Sequence, residues 1–123
     1  YMKLLNKFYT IESVQNNDNE LVFQIKLNNE HYIYKAHFPE NPITPGVCII
    51  QIAQELLEEY LNVRLQLKVL HNIKYMSILS PITSPKISIQ LLYNKNSEVL
   101  KLKGVIKDVN TTFTKFSSTY NVL

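Results

Sequence analysis

The sequence predicts an α+β fold, an antiparallel sheet packed on one long helix. Three observations carry this. One stretch, 47–62, repeats its apolar residues at helical spacing. The flanking segments read as strands cut by polar turns. Their order is two strands, one helix and four strands, which is not the alternation of a parallel βαβ sheet. With 123 residues and 46% hydrophobic content, the chain suits one compact domain over 1–123 with a real core.

The first two strands are expected at about 7–15 and 20–28, separated by the polar turn Asn16-Asn17-Asp18-Asn19. In the second, Leu21, Phe23, Ile25 and Leu27 alternate with Val22, Gln24 and Lys26, so one face is apolar. Residues 30–36 lead into a proline-rich loop. The helix follows, with Val47, Ile50, Ala53, Leu57 and Leu61 at i+3/i+4 spacing and Ile49, Ile52, Leu56 and Tyr60 beside them. Such a wide apolar face should be wrapped by other structure. Glu58 and Glu59, in its second half, read as solvated. Four more strands are expected at about 65–78, 86–94, 97–108 and 111–121, with turns at Ser80-Pro81, Ser84-Pro85, Asn94-Lys95-Asn96 and Asp108-Val109-Asn110. An antiparallel sheet of this kind has open edges unless it is paired, so edge-to-edge dimerisation is expected.

Composition narrows the function. The only glycines are Gly46 and Gly104, which excludes a Gly-rich phosphate loop. Net charge is +3, with lysines scattered rather than in runs, which argues against nucleic acid while suiting an acidic partner. No secretory leader opens the chain and no apolar run approaches membrane-spanning length, so a cytoplasmic location without membrane contact is expected. The lone Cys48 excludes an intrachain disulfide and a Cys-based zinc site. It reads as a buried structural thiol; a nucleophilic role would need a partner base such as His37. His31 and His71 read as surface or strand-packing residues, and Tyr32, Tyr34, Tyr75, Tyr93 and Tyr120 as strand packing, with Tyr75 placed to line a tunnel. The three histidines lack metal-ligand spacing, so neither metal nor other cofactor is expected.

The chemistry concentrates in His37-Phe38-Pro39-Glu40-Asn41-Pro42-Ile43-Thr44-Pro45-Gly46-Val47. Three prolines stiffen the loop. Gly46 permits close backbone approach where a helix begins, and a helix start carries free N–H groups and positive potential. A histidine base facing such a start suits a reaction that develops negative charge.

This segment resembles the HFPGxPxxPGV loop of β-hydroxyacyl-acyl-carrier-protein dehydratases with the hot-dog fold. Ile73-Lys74-Tyr75-Met76 followed by Ser80-Pro81-Ile82 is similar to the strand and turn after that family's helix, and the order of elements matches its antiparallel "bun" around one helical "sausage". The resemblance implies elimination of water from a (3R)-hydroxyacyl thioester to give the trans-2-enoyl thioester. It also implies an acyl carrier protein as substrate carrier, and a dimer, either homodimeric or heterodimeric with another hot-dog chain. His37 then maps to the base and the Gly46 and Val47 amides to the oxyanion donors. The family's acid, an Asp or Glu on the helix of the opposite subunit, falls here on Gln51. Glutamine forms hydrogen bonds but delivers no proton. Three readings follow: Gln51 orients water or the substrate hydroxyl while His37 shuttles the proton; Glu55, one turn on, substitutes as the acid; or the chain is an impaired partner that binds acyl groups or completes a heterodimer. A thioesterase acting on the same bound thioester is a further alternative. Glu40, where the family has glycine, reads as a solvated loop carboxylate.

Overall fold

The computed structural model describes residues 3–36 and 40–123. Six strands form one sheet: β1 (Tyr9–Asn17), β2 (Glu20–Leu27), β3 (Leu65–Tyr75), β4 (Lys86–Lys95), β5 (Val99–Lys107) and β6 (Thr112–Val122). Between β2 and β3 in the chain lie the short helix α1 (Tyr32–Ala36) and the long helix α2 (Gly46–Leu61). Every strand pairing is antiparallel, in the spatial order β1-β2-β4-β5-β6-β3. β2 therefore neighbours β4, and the α1–α2 segment carries the chain over to the opposite edge, where β3 starts. This is the hot-dog plan that the loop motif implies.

Side-chain alternation explains the layers. Leu21, Phe23, Ile25 and Leu27 of β2 are buried while Glu20, Gln24 and Lys26 face solvent. Leu100, Leu102 and Ile106 of β5 and Phe116 and Tyr120 of β6 are buried in the same way. They join Cys48, Ile49, Ile52, Ala53, Leu56 and Leu57 of α2 in one hydrophobic core. Gly104 stands opposite Phe116 in the β5–β6 register, and a Cβ there would lie 2.5 Å from Phe116 Cε1. The glycine thus lets the Phe116 ring lie across the neighbouring strand.

Element ends follow local chemistry. α2 stops at Asn62, which adopts left-handed geometry (φ 54°) and returns its N–H to Glu58 O. The β5–β6 turn is held by Asp108, whose Oδ1 accepts the N–H groups of Asn110 (2.9 Å) and Thr111 (2.8 Å). Ser84 donates to its Oδ2 at 2.7 Å, and this bond, with the backbone donors, holds the Asp108 carboxyl below its ordinary value.

Several side chains depart from expectation. Glu58 is half-buried rather than solvated, because its Oε2 accepts the Leu65 N–H at 2.9 Å and pins the entry to β3. Glu59 is exposed as expected. Residues 32–36 form α1, so Tyr32 and Tyr34 pack on a helix and not on a strand. His31, just before it, is buried. Its ring stacks on Tyr32 (4.6 Å) and meets Phe8 edge-on (5.2 Å), while Nδ1 accepts the Ile33 N–H. Burial, reinforced by Lys7, lowers its pKa. Five residues of helix show too little periodicity to be read in advance.

Candidate functional site

The site is built around the start of α2. Pro45 caps the helix in extended geometry (φ −62°, ψ 142°) and provides no side-chain cap bond. Its carbonyl accepts the N–H groups of Cys48 (3.0 Å) and Ile49 (3.2 Å). The N–H groups of Gly46 and Val47 keep no partner among the described residues. They are donors of the orphan kind that every helix start leaves, and Val47 is 73% exposed. These are the two amides the sequence proposed as oxyanion donors.

Gly46 serves close approach rather than unusual backbone geometry, since it does not have positive φ. A Cβ there would lie 2.5 Å from Cζ and 2.8 Å from Cε1 of Tyr75 and would run into its hydroxyl. Tyr75 closes β3 and lines a cleft of about 300 Å³ with Ile43, Thr44, Ile49, Met76, Ser77, Ile78, Leu79 and Thr114. The cleft is mostly apolar and adjoins the first turn of α2. Desolvation raises the Tyr75 phenol above its ordinary value. Larger clefts lie on the outer sheet face around Lys101 and Lys103, and beside Gln54 and Glu58.

His37, with Phe38 and Pro39, lies outside the described residues. The described residues on either side of it are tied to each other. Buried Tyr34, on α1, and buried Thr44, before α2, share a hydrogen bond between their hydroxyls at 2.9 Å. The Thr44 N–H donates to Leu79 O at 2.8 Å, which ties the same point to the loop between β3 and β4. The sequence reading passed over Thr44. The only signal was a hydroxyl residue set between two prolines of an otherwise apolar stretch. Glu40 is exposed.

Gln51 is half-buried, and its Nε2 donates to Glu55 Oε2 at 2.8 Å. Glu55 is 2% exposed and heavily bonded. Its Oε2 also accepts the Leu4 N–H (2.8 Å), and its Oε1 accepts the Leu5 N–H (2.8 Å) and the Tyr9 hydroxyl (3.2 Å). The structure thus brings Gln51 and Glu55 together on one face of α2, and gives Glu55 the work of fastening residues 4–9 to the helix. Cys48 is buried as expected. Burial, and then the Glu55 charge, raise its thiol, which leaves it poorly reactive. His71 is exposed and meets Thr119 Oγ1 at 3.2 Å. Among the described residues, no three His, Cys, Asp or Glu side chains could hold a metal ion, and no helix is long and apolar enough to cross a membrane.

The model of the ApeI-like family, described as ApeI dehydratase, matches residues 13–115. The chain belongs to the ApeI-like dehydratase family. A search of curated proteins finds no match. Among solved structures, this ApeI-like chain is similar to the dehydratase heterocomplex ApeI:P from Xenorhabdus doucetiae. That match has 16% identity and a TM-score of 0.71, and covers 90% of this chain and 96% of that one. It is also similar to a mutant thioesterase from Pseudomonas aeruginosa (11% identity, TM-score 0.65, covering 94% and 81%). A hypothetical thioesterase with coenzyme A from Streptococcus pneumoniae is alike as well (14%, 0.64, covering 94% and 85%). At these identities the structural likenesses establish the hot-dog fold of the ApeI-like chain.

Proposed function

We propose that the protein is a hot-dog lyase that dehydrates a (3R)-hydroxyacyl thioester, carried by an acyl carrier protein, to the trans-2-enoyl thioester. The observation that carries this is the pair of unpartnered amides, Gly46 and Val47, opening beside an apolar cleft in an ApeI-like chain. His37 takes the proton from the carbon next to the thioester carbonyl. The carbonyl oxygen, gaining charge, accepts hydrogen bonds from the two amides, which the positive end of α2 favours. The bond from the third carbon to its hydroxyl then breaks, and the hydroxyl leaves as water with the proton that His37 returns. Gln51 orients that hydroxyl. The hydrogen bonds to Glu55 support a fastening role for it better than that of a substitute acid.

A carrier protein is supported by charge. The strands β3 to β6 hold Lys68, Lys74, Lys86, Lys95, Lys101, Lys103, Lys107 and Lys115 and no aspartate or glutamate. Four adjacent strands with this charge balance attract an acidic partner. A second reading, an impaired subunit that completes a heterodimer, is favoured by glutamine at position 51 and by the heterocomplex found for the similar protein from Xenorhabdus doucetiae. Substitutions separate the two. His37→Ala should lower enoyl formation by at least about 10²-fold, the usual share of a general base. Gln51→Glu should raise it. Turnover unchanged in His37→Ala removes the histidine from the mechanism. No turnover in any variant until a second hot-dog chain is added selects the heterodimer.

A further inference from the structure

We infer that the Tyr75 hydroxyl is a third hydrogen-bond donor to the thioester oxygen, acting beside the Gly46 and Val47 amides. This rests on the thioester reading above and adds a side chain to a site otherwise built from backbone. Three observations support it. On a helix the Cα–Cβ direction tilts toward the N-terminus, the end at which the free N–H groups also point. The end of the Tyr75 ring fills the space where a Cβ of Gly46 would stand, so its hydroxyl lies on the amide side of the helix start. The hydroxyl has no hydrogen-bond partner among the described residues. The same ring lines the cleft that adjoins the first turn of α2.

The chemistry suits the position. A phenol held above its ordinary pKa stays protonated at neutral pH and offers a donor without a charge of its own. Its bond to a carbonyl oxygen strengthens as negative charge builds on that oxygen, so it contributes more in the transition state than in the ground state. No proton changes hands in this role. Glycine at 46 then has a further reason, because any side chain there would push the phenol away from the amides.

The test reads the carbonyl directly. A 3-hydroxyacyl thioester labelled with carbon-13 at the carbonyl is bound to the protein, and its stretching band is followed by isotope-edited infrared difference spectroscopy. The wild-type protein should move the band to lower wavenumber, and Tyr75→Phe should recover part of that displacement. Tyr75→Phe should also lower kcat by about 10²-fold with KM within about threefold, as loss of one oxyanion donor does. Tyr75 is 55% exposed on an edge strand, so the variant should fold. Equal band positions in the two proteins, or no displacement in either, overturns the assignment. Enoyl formation is read separately: a displaced, Tyr75-dependent band without enoyl product keeps the donor and removes the lyase.

Discussion

At the scale of single residues, one spacing carries two tasks. Gln51 and Glu55 are four apart, one turn of α2, and meet at 2.8 Å. That spacing was legible in the sequence, and with it the resemblance to a family that places an acid at position 51. The partners of Glu55 were not legible. They come from Leu4, Leu5 and Tyr9, more than 45 positions away, and no local pattern announces a backbone N–H that seeks a buried carboxylate. The consequence is measurable. Glu55→Ala strands the Leu4 and Leu5 amides and takes an acceptor from the Tyr9 hydroxyl, and should cost about 2–4 kcal/mol in urea unfolding. A loss under about 0.5 kcal/mol, the range of ordinary surface changes, would mean that Glu55 is not the fastener.

At the scale of elements, the strand boundaries follow the turn residues closely. The polar and proline turns between β3 and β6 fall where the sequence puts them because Asn, Asp, Ser and Pro act through their own backbone. α1 was missed because its stability comes from tertiary contact: Tyr34 stacks on Phe8 and bonds Thr44, neither of which is near it in sequence. Among the described residues β3 pairs only with β6, and its other edge has no strand beside it. Its apolar residues Leu67, Val69 and Leu70 are each about 40% exposed and Tyr75 is 55% exposed. An exposed apolar edge of this kind is what edge-to-edge pairing with a second chain would cover. Sedimentation velocity at micromolar concentration should therefore show a dimer, and Val69→Lys should weaken it. A monomer in the wild-type protein would leave the cleft to one chain alone.

For the whole molecule, the fold was the most legible level, since the order of periods and the proline loop each point to one architecture. The clustering of charge was hidden. Lysines that look scattered along the chain gather on four adjacent strands free of carboxylates once the register is known. Of the proposed site, the sequence named the backbone amides of Gly46 and Val47 but not the approach of Tyr75 to Gly46, which arises only through the pairing of β3 at the far edge of the sheet. The central claim, that this assembly expels water from a carrier-borne 3-hydroxyacyl thioester, meets its most direct test in one incubation of that substrate with the protein. The account predicts growth of the ultraviolet absorbance of a conjugated enoyl thioester, with no free thiol released. Release of free thiol without enoyl product would contradict it and make the protein a thioesterase.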